Sequence, residues 1–237
     1  MVGDSVKATL RRLADERIGQ ADLALLSEDG FFREALADEV AGRFGQEDVV
    51  APLVVTRGNV TLPDGSRNAR NVQVLGVDQR FWQLAPNPEK KPDFPSTDFF
   101  VNERLGKFLE AKPGDRLILR LEEPSLFSRD APLSGERDNK FVAYNEELGG
   151  VLGVESFGRF GLQGNQREPL TIFVSLETLQ KRMFRSFDEA TGQTKFANFL
   201  LLGRPDDGAI SLSDSEEALN AAWTLSDAGI SIKELRD

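Results

Sequence analysis

The sequence predicts an α+β fold in which both ends of the chain build one α/β layer around a β-rich middle. Strand–helix–strand patterns occur near both termini, whereas residues 57–195 contain mainly short apolar or alternating runs between turn signals. The chain has 237 residues, 40% of them hydrophobic, which is enough to bury a sizeable core. We therefore expect residues 1–56 and 196–237 to form two halves of one layer, with 57–195 inserted between them.

The N-terminal segment predicts helix, strand, helix and strand in that order. The first helix begins after Asp4 or Ser5 and ends at Gly19. A strand over Ala21–Leu26 follows. Asp29 is expected to cap a second helix that ends at Gly45, and the strand Val49–Thr56 comes next. The apolar residues of that second helix recur every four positions and are Phe32, Leu36, Val40 and Phe44.

The C-terminal segment repeats this pattern. Phe196–Leu202 is apolar enough for a buried strand. The run Ser213-Asp214-Ser215-Glu216 is typical of a capping box, so it predicts the start of a helix. That helix carries Leu219, Ala222 and Trp223 and is expected to end at Gly229, before a strand that begins at 230–232.

The middle of the chain predicts strands joined by turns and two short helices. Pro63-Asp64-Gly65-Ser66 indicates a turn between two strands. A polar stretch at 125–139 predicts a loop. The other expected elements are a helix within Val101–Ala111, a strand at Leu117–Leu121, a strand at Leu170–Val174 and a helix at Leu176–Phe184 that Ser175 caps.

The chain contains neither histidine nor cysteine. Catalytic triads that need either residue, zinc sites built from them and disulfide bridges are therefore excluded. We expect no catalytic residue, no metal site and no cofactor, and hence a domain that binds or transmits rather than an enzyme.

Two weaker chemical patterns do not change this expectation. The stretch from Gly153 to Gly158 is similar to a phosphate-binding loop, but Arg159-Phe160 stands where such a loop needs lysine and a hydroxyl residue. Adjacent carboxylates such as Asp206-Asp207 diverge on a helix or strand instead of converging. A hydrolase that uses two carboxyl groups remains the third alternative.

The charge balance argues against nucleic acid as a partner. The chain has 39 acidic and 29 basic residues, a net charge of −10. Such a surface repels phosphate backbones and anionic lipid headgroups. No apolar run approaches the roughly 20 residues that a membrane-spanning helix needs.

The order of the pieces resembles the extracytoplasmic domain of MacB/FtsX-like ABC transporter permeases. The likeness lies in four stretches that occur in the right order, although Ser175 stands where many members carry proline. They are Asn71–Asp78 with Phe81-Trp82, Val101–Leu105 leading to Gly114-Asp115, Phe173–Leu176, and Ala197–Leu200.

This resemblance implies a porter-like layer made from both chain ends and an inserted β-rich, sabre-like subdomain. It also implies a periplasmic loop cut from a longer membrane protein, with membrane helices before and after it. The implied partners are those helices, a separate ATP-binding subunit or domain, and an extracytoplasmic adaptor or lipoprotein. The implied activity is mechanical coupling and not catalysis.

A glycine- and phenylalanine-bearing segment is the candidate contact surface for a partner or cargo. Its residues are Phe157, Arg159, Phe160, Gln163 and Asn165. Glycines beside phenylalanines allow large apolar side chains to be presented on a movable loop. The alternative is that both rings are buried in the β-rich core.

Hinges are expected where the two parts join, at Gly45, Pro52, Thr191 and Gly192. The second functional alternative is a stand-alone extracytoplasmic module that binds a lipid or a small apolar ligand. A closed apolar cleft lined by Phe157, Phe160 and Trp82 would favour it, and a filled core would not.

Overall fold

The computed structural model describes residues 16–27, 30–93, 97–124, 141–162, 168–185, 195–205, 208–225 and 227. Two 3₁₀ turns accompany the helices and strands, at Pro88–Lys90 and Val154–Ser156. The elements in chain order are β1 (Ala21–Leu26), β2 (Phe32–Arg33), α1 (Ala35–Ala41), β3 (Val49–Thr61), β4 (Asn68–Val77), α2 (Gln79–Gln83), β5 (Phe99–Asn102), α3 (Glu103–Leu109), β6 (Arg116–Glu122), β7 (Phe141–Leu152), β8 (Thr171–Ser175), α4 (Leu176–Met183), β9 (Phe196–Ala197), β10 (Phe199–Gly203) and α5 (Leu212–Ala222).

Eight of the strands form one mixed sheet in the order β1-β10-β3-β4-β8-β5-β7-β6. The β4–β8 and β5–β7 pairs are parallel and the others are antiparallel. A further antiparallel pairing of β3 with β6 closes the last six strands into a ring. We call this ring the barrel and the β1-β10-β3 part the layer. The predicted α+β class is confirmed at the level of a mixed fold built around a large mixed sheet.

Strand β3 belongs to both parts. Its first residues, Val49–Leu53, pair with β10, and its partner from Val54 onward is β4. Pro52 is tolerated in this buried strand because β4 pairs only beyond it, so one side of β3 is still without a ladder there. The sheet therefore runs continuously across the boundary expected at 56/57, and the three-segment division stays a prediction.

Gly58 allows the barrel to close. It lies opposite Leu121, where β3 first pairs with β6. A Cβ atom at Gly58 would lie 2.6 Å from Leu121 Cδ2 and 2.9 Å from the Arg120 carbonyl oxygen. Only glycine permits the two backbones to approach this closely.

Asn198 joins β10 to β3 at the point where their ladder ends. Its side chain accepts from the Val55 N–H at 2.8 Å and donates to the Val55 carbonyl at 2.9 Å. Its backbone N–H donates to Leu53 and its carbonyl accepts from Ser27. The strand predicted over 196–202 is therefore interrupted at Asn198, because this residue turns its amide side chain into the ladder.

Three groups of buried side chains form the core. One fills the barrel, and a second lies on the outer face of the layer under α1 and α5. The third, which we call the aromatic core, lies between the inner face of the layer and the barrel. Alternate residues of β3 divide between the two faces of the layer, since Val49 and Ala51 enter the aromatic core and Val50 the outer group.

Most predicted elements are found, with corrections at helix ends. The second helix ends at Ala41 and not near Gly45, because Gly42 is its C-cap and residues 42–44 form a turn. The C-terminal helix is capped by Ser211, whose hydroxyl accepts from the Asp214 N–H, and not by Ser213. Strands β5 and β7 were not predicted. The second helix begins at Ala35 and not after an Asp29 cap, because Phe32 and Arg33 pair with β9 as a strand. Asp29 itself, the 125–139 loop and the strand at 230–232 lie outside the described residues.

A buried ion pair attaches the segment after α5 to β2. Asp227 accepts hydrogen bonds from the Arg33 backbone N–H, Nε and Nη2 at 3.1, 3.0 and 2.9 Å, and from the N–H and hydroxyl of Thr224. Burial alone would raise the pKa of Asp227, but these donors outweigh it and lower the pKa. The carboxylate is thus held charged beneath the layer.

We predict that Asp227→Asn lowers the free energy of unfolding by about 2 kcal/mol, because bonds to a charged group are lost. Urea denaturation measures this. Since the pKa of Asp227 is depressed in the folded state, its charged carboxylate stabilises the fold above the unfolded pKa of about 3.9. This stabilisation is lost as the pH falls below that value. The free energy of unfolding of Asp227→Asn should therefore fall less steeply in acid than that of the parent.

The matched control is Glu39→Gln, which removes the exposed partner of the same Arg33 guanidinium. Exposed pairs contribute little, so we expect a change below about 1 kcal/mol. Equal effects of the two substitutions would contradict the special role of the buried carboxylate.

Tyr144 places a hydroxyl in the barrel that has no hydrogen-bond partner among the described residues. Its ring contacts Phe99 at 5.8 Å between centroids. Burial raises the pKa of this hydroxyl well above its usual value, and Arg182 offsets the effect only in part. The unsatisfied hydroxyl of Tyr144 therefore lowers the free energy of unfolding, whereas its packed ring raises it.

We predict that Tyr144→Phe leaves the stability unchanged or raises it by about 1 kcal/mol, because an unsatisfied buried hydroxyl is removed. As Tyr144 is the single tyrosine, absorbance at 295 nm reports its ionisation alone. With a raised folded pKa, stability falls as the pH rises above the unfolded value of about 10. A substantial loss of stability in Tyr144→Phe would contradict the absence of a partner.

Candidate functional site

The layer and the barrel are joined by polar side chains of α2, α4 and the turn before α1. We call this set the junction; its residues are Glu34, Asp38, Asp78, Arg80 and Gln180. The predicted hinge residues Gly45 and Pro52 lie further along the chain, in the turn after α1 and in β3.

Arg80 is positioned by the start of α2. Asp78 caps this helix by accepting from the Arg80 N–H at 2.9 Å, and its other carboxylate oxygen accepts from Arg80 Nε at 2.7 Å. The guanidinium then reaches across to α1, where Asp38 lies at 2.7 Å and Glu34 at 3.6 Å. One arginine thus binds a carboxylate on its own helix cap and two beside the layer.

Gln180 completes the junction from α4. It is buried, and its Nε2 donates to Glu34 Oε2 at 2.9 Å and to the Phe196 carbonyl at 2.8 Å. The Glu34 backbone N–H donates in turn to Lys195. A helix packed on the barrel is therefore bonded to β9 and to the turn before α1, the helix that packs on the layer.

These contacts suit attachment rather than catalysis. Each junction carboxylate accepts from an arginine or glutamine, so the charges are compensated in place. No group of three or more metal-binding side chains occurs within the described ranges. No helix in that same part of the chain is long and apolar enough to cross a membrane.

The predicted contact segment is only partly described, and its rings do not face solvent. Phe157 is 0% exposed and Phe160 is 2% exposed, so the alternative with both rings in the core is the one that the structure has. Arg159 is partly exposed and pairs with Glu16 and Glu168. Gln163 and Asn165 lie outside the described residues. Contact with a partner through this segment stays a prediction.

The apolar cleft that would favour a stand-alone binding module is filled. The Phe81 ring lies 4.8 Å from Phe157, 5.0 Å from Phe160 and 4.9 Å from Trp82, centroid to centroid. These are contact distances for aromatic pairs. Phe157 adopts this position with a left-handed φ of 60°, a strained value for a bulky residue.

The expected hinge residues have different environments. Gly45 is exposed in the turn between α1 and β3, and its N–H donates to Asp48 Oδ2 at 2.9 Å. Pro52 lies inside β3 opposite Leu200. Thr191 and Gly192 fall outside the described residues. The hinge role of all four stays a prediction.

Asn102 is fully buried and has contacts that the sequence pattern did not predict. Its Oδ1 accepts from the Leu105 and Thr171 N–H groups, and its Nδ2 donates to Glu168 and to the Pro169 carbonyl. It therefore caps α3 and fixes the start of β8 together. An asparagine just before a helical pattern indicates a helix cap. The contacts of Asn102 with the segment that leads into β8 could not be predicted in this way, because that segment is distant in the sequence.

Each of the four stretches that resemble the permease family contains a residue whose side chain caps a helix or bonds a neighbouring strand. Asp78, Asn102 and Ser175 each cap a helix that follows a strand, and Asn198 bonds β3.

Comparisons with known proteins find a likeness in structure but none in sequence. No protein-family model matches the sequence, and no curated protein matches it. The chain is similar in structure to the periplasmic region of MacB from Actinobacillus actinomycetemcomitans, at 11% sequence identity and a TM-score of 0.48. That match covers 90% of this chain and 86% of the other.

We predict that Gln180→Leu lowers the free energy of unfolding by about 1–3 kcal/mol, because Glu34 and the Phe196 carbonyl lose a buried donor. Chemical denaturation measures the loss, and amide hydrogen exchange at β9 should become faster. The control is Lys181→Gln on the exposed side of α4, where only an (i, i+4) pair with Glu177 is lost. We expect less than about 0.5 kcal/mol there, and an equal loss in both variants would contradict the junction.

Proposed function

We propose that this chain is an extracytoplasmic domain of an ABC-type permease, without enzymatic activity of its own. It would pass motion of membrane helices to a partner or cargo outside the membrane, in export or lipoprotein release. The layer would be the porter-like part and the barrel the sabre-like part.

The observation that carries the proposal is the pairing of β1 with β10, the first and last strands of the large sheet in chain order. The two strands are antiparallel, and Ala21 lies opposite Gly203. The chain therefore enters β1 and leaves β10 at the same end of the layer. Such a pairing suits a domain inserted between membrane helices, because the segments before and after the layer start from one side of it.

The ordered resemblance of four stretches to MacB/FtsX-like permeases supports the same proposal. Their capping and bridging residues lie where the described strands turn into helices or change partner. A permease loop of this kind would be expected to retain these positions, since they set the directions of its elements.

The junction supports a mechanical role. Arg80 and Gln180 attach α2 and α4 to the layer, and β3 runs unbroken from the layer into the barrel. Motion of the layer would be passed on by stiff, bonded elements. We place the hinges at Gly45–Pro52 and 191–196, and the partner contact near Arg159.

The stand-alone binding module is less well supported, because its expected cleft between Trp82 and Phe157 is filled by aromatic side chains. A membrane-impermeant thiol reagent tests the extracytoplasmic location that both functions share, and recovery with the membrane fraction distinguishes the two. The chain has no cysteine, so a single introduced thiol reports its own location.

We predict that Ser66→Cys in the full-length parent protein, expressed in intact cells, is labelled by the impermeant maleimide. Ser66 is exposed in the turn between β3 and β4. The protein should also be recovered with the membrane fraction. Labelling only after lysis, or recovery in the soluble fraction, would overturn the proposal.

Ala69→Cys is the matched control for folding. Ala69 lies three residues away in β4 and is fully buried, so its thiol should react only after denaturation. Labelling of both thiols would indicate an unfolded domain and require a stabilised background for the Ser66 test.

A further inference from the structure

A cavity of about 410 Å³ opens where the layer meets the barrel, and no junction residue lines it. The layer contributes Leu26 at the end of β1 and Phe199 of β10. The barrel contributes β3 and β4 residues and the segment that leads into β8. Binding sites for small molecules commonly occupy about 300–1,000 Å³, so this cavity lies at the small end of that range.

The charge of the cavity is opposite to that of the chain. Its ionisable lining residues are Glu168 and four arginines, namely Arg17, Arg57, Arg104 and Arg159. Arg159 pairs with Glu168 and Glu16. Within the described ranges, neither Arg57 nor Arg104 has a carboxylate partner. In a chain of net charge −10, uncompensated arginines at one cavity favour an anion.

A backbone irregularity holds one of these arginines at the cavity. Gly58 pairs with Val72 and Val60 with Ala69, which leaves an extra residue in β4 between them. In this bulge Asn71 has a left-handed φ of 56°, and its carbonyl accepts from Arg57 Nη1 at 3.5 Å. Bulges and residues of positive φ are frequent beside functional sites.

The remaining wall is apolar. Phe160, Phe199, Val55 and Leu170 line the cavity, and Leu162 borders it while 46% exposed. Leu26, also at its edge, is 55% exposed. An inorganic anion would leave these surfaces in water, whereas an apolar chain attached to the anion would cover them.

We propose that this cavity binds a small organic anion with an apolar chain, its head on Arg57 and Arg104 and its chain along Phe160 and Leu170. Guanidinium groups bind carboxylate and phosphate oxygens through charge-assisted hydrogen bonds. The inference goes beyond the proposed function and does not depend on it, because cysteine labelling tests location and ligand titration tests the cavity.

Decanoate and decyl phosphate are the probes, titrated below their micelle concentrations by isothermal calorimetry and by amide chemical shifts. Both should bind saturably, with shifts at β3, β4 and residues 168–170. Butyrate, octanoate and decanoate should bind in rising order, by up to about fourfold per buried methylene. The tighter of the two heads identifies the source as a carboxylate or a phosphate ester.

The double variant Arg57→Gln/Arg104→Gln should weaken decanoate by about tenfold or more, because charged hydrogen bonds to the head are lost. Both side chains are exposed, so the fold should be retained. The matched control is Arg116→Gln, an exposed arginine at the start of β6 that lies opposite Glu147 and outside the cavity lining. The affinity of this control variant for decanoate should stay within about twofold of that of the parent chain.

Three results would overturn the proposal. Equal affinity for decyltrimethylammonium would indicate an apolar surface without charge selection. Equal affinity for inorganic phosphate would indicate an anion site without an apolar part. Absence of saturable binding by both probes, in a chain shown to be folded, would show that the cavity has no such ligand.

Discussion

Strand β3 is the element on which the rest of the structure depends. One stretch of 13 residues pairs with β10 at its start, with β4 after Val54 and with β6 at its end. The layer and the barrel therefore share a backbone ladder instead of touching through side chains alone. Separating them would break hydrogen bonds of a buried strand, which costs far more than opening a side-chain interface.

Side-chain amides complete this framework where backbone pairing stops. Asn198 supplies β3 with both a donor and an acceptor beyond the last β10 pair, and Asn102 does the same for the entry to β8. Gln180 joins α4 to the layer. In each case an amide satisfies buried backbone groups that would otherwise be left without partners.

The two phenylalanines and the single arginine of residues 157–162 have separate roles. Phe157 and Phe160 stabilise the space between the layer and the barrel, where Phe81 contacts both rings. Arg159 stays near solvent and balances Glu16 and Glu168 at the cavity. A ligand there would touch both the layer and the barrel, so its binding would be sensitive to their relative position.

The sequence by itself determined the fold class, the strands of the layer and the turn at 63–66, because these follow from local periodicity and from turn and cap residues. Absence of histidine and cysteine likewise excluded whole classes of chemistry. The tertiary structure alone decided that β3 crosses both parts, that the rings of Phe157 and Phe160 face inward and that Arg57 and Arg104 meet at one cavity. The local pattern of the sequence shows the spacing of apolar residues and the places where helices begin. These features depend instead on pairings between segments more than 40 residues apart, such as Gly58 with Leu121.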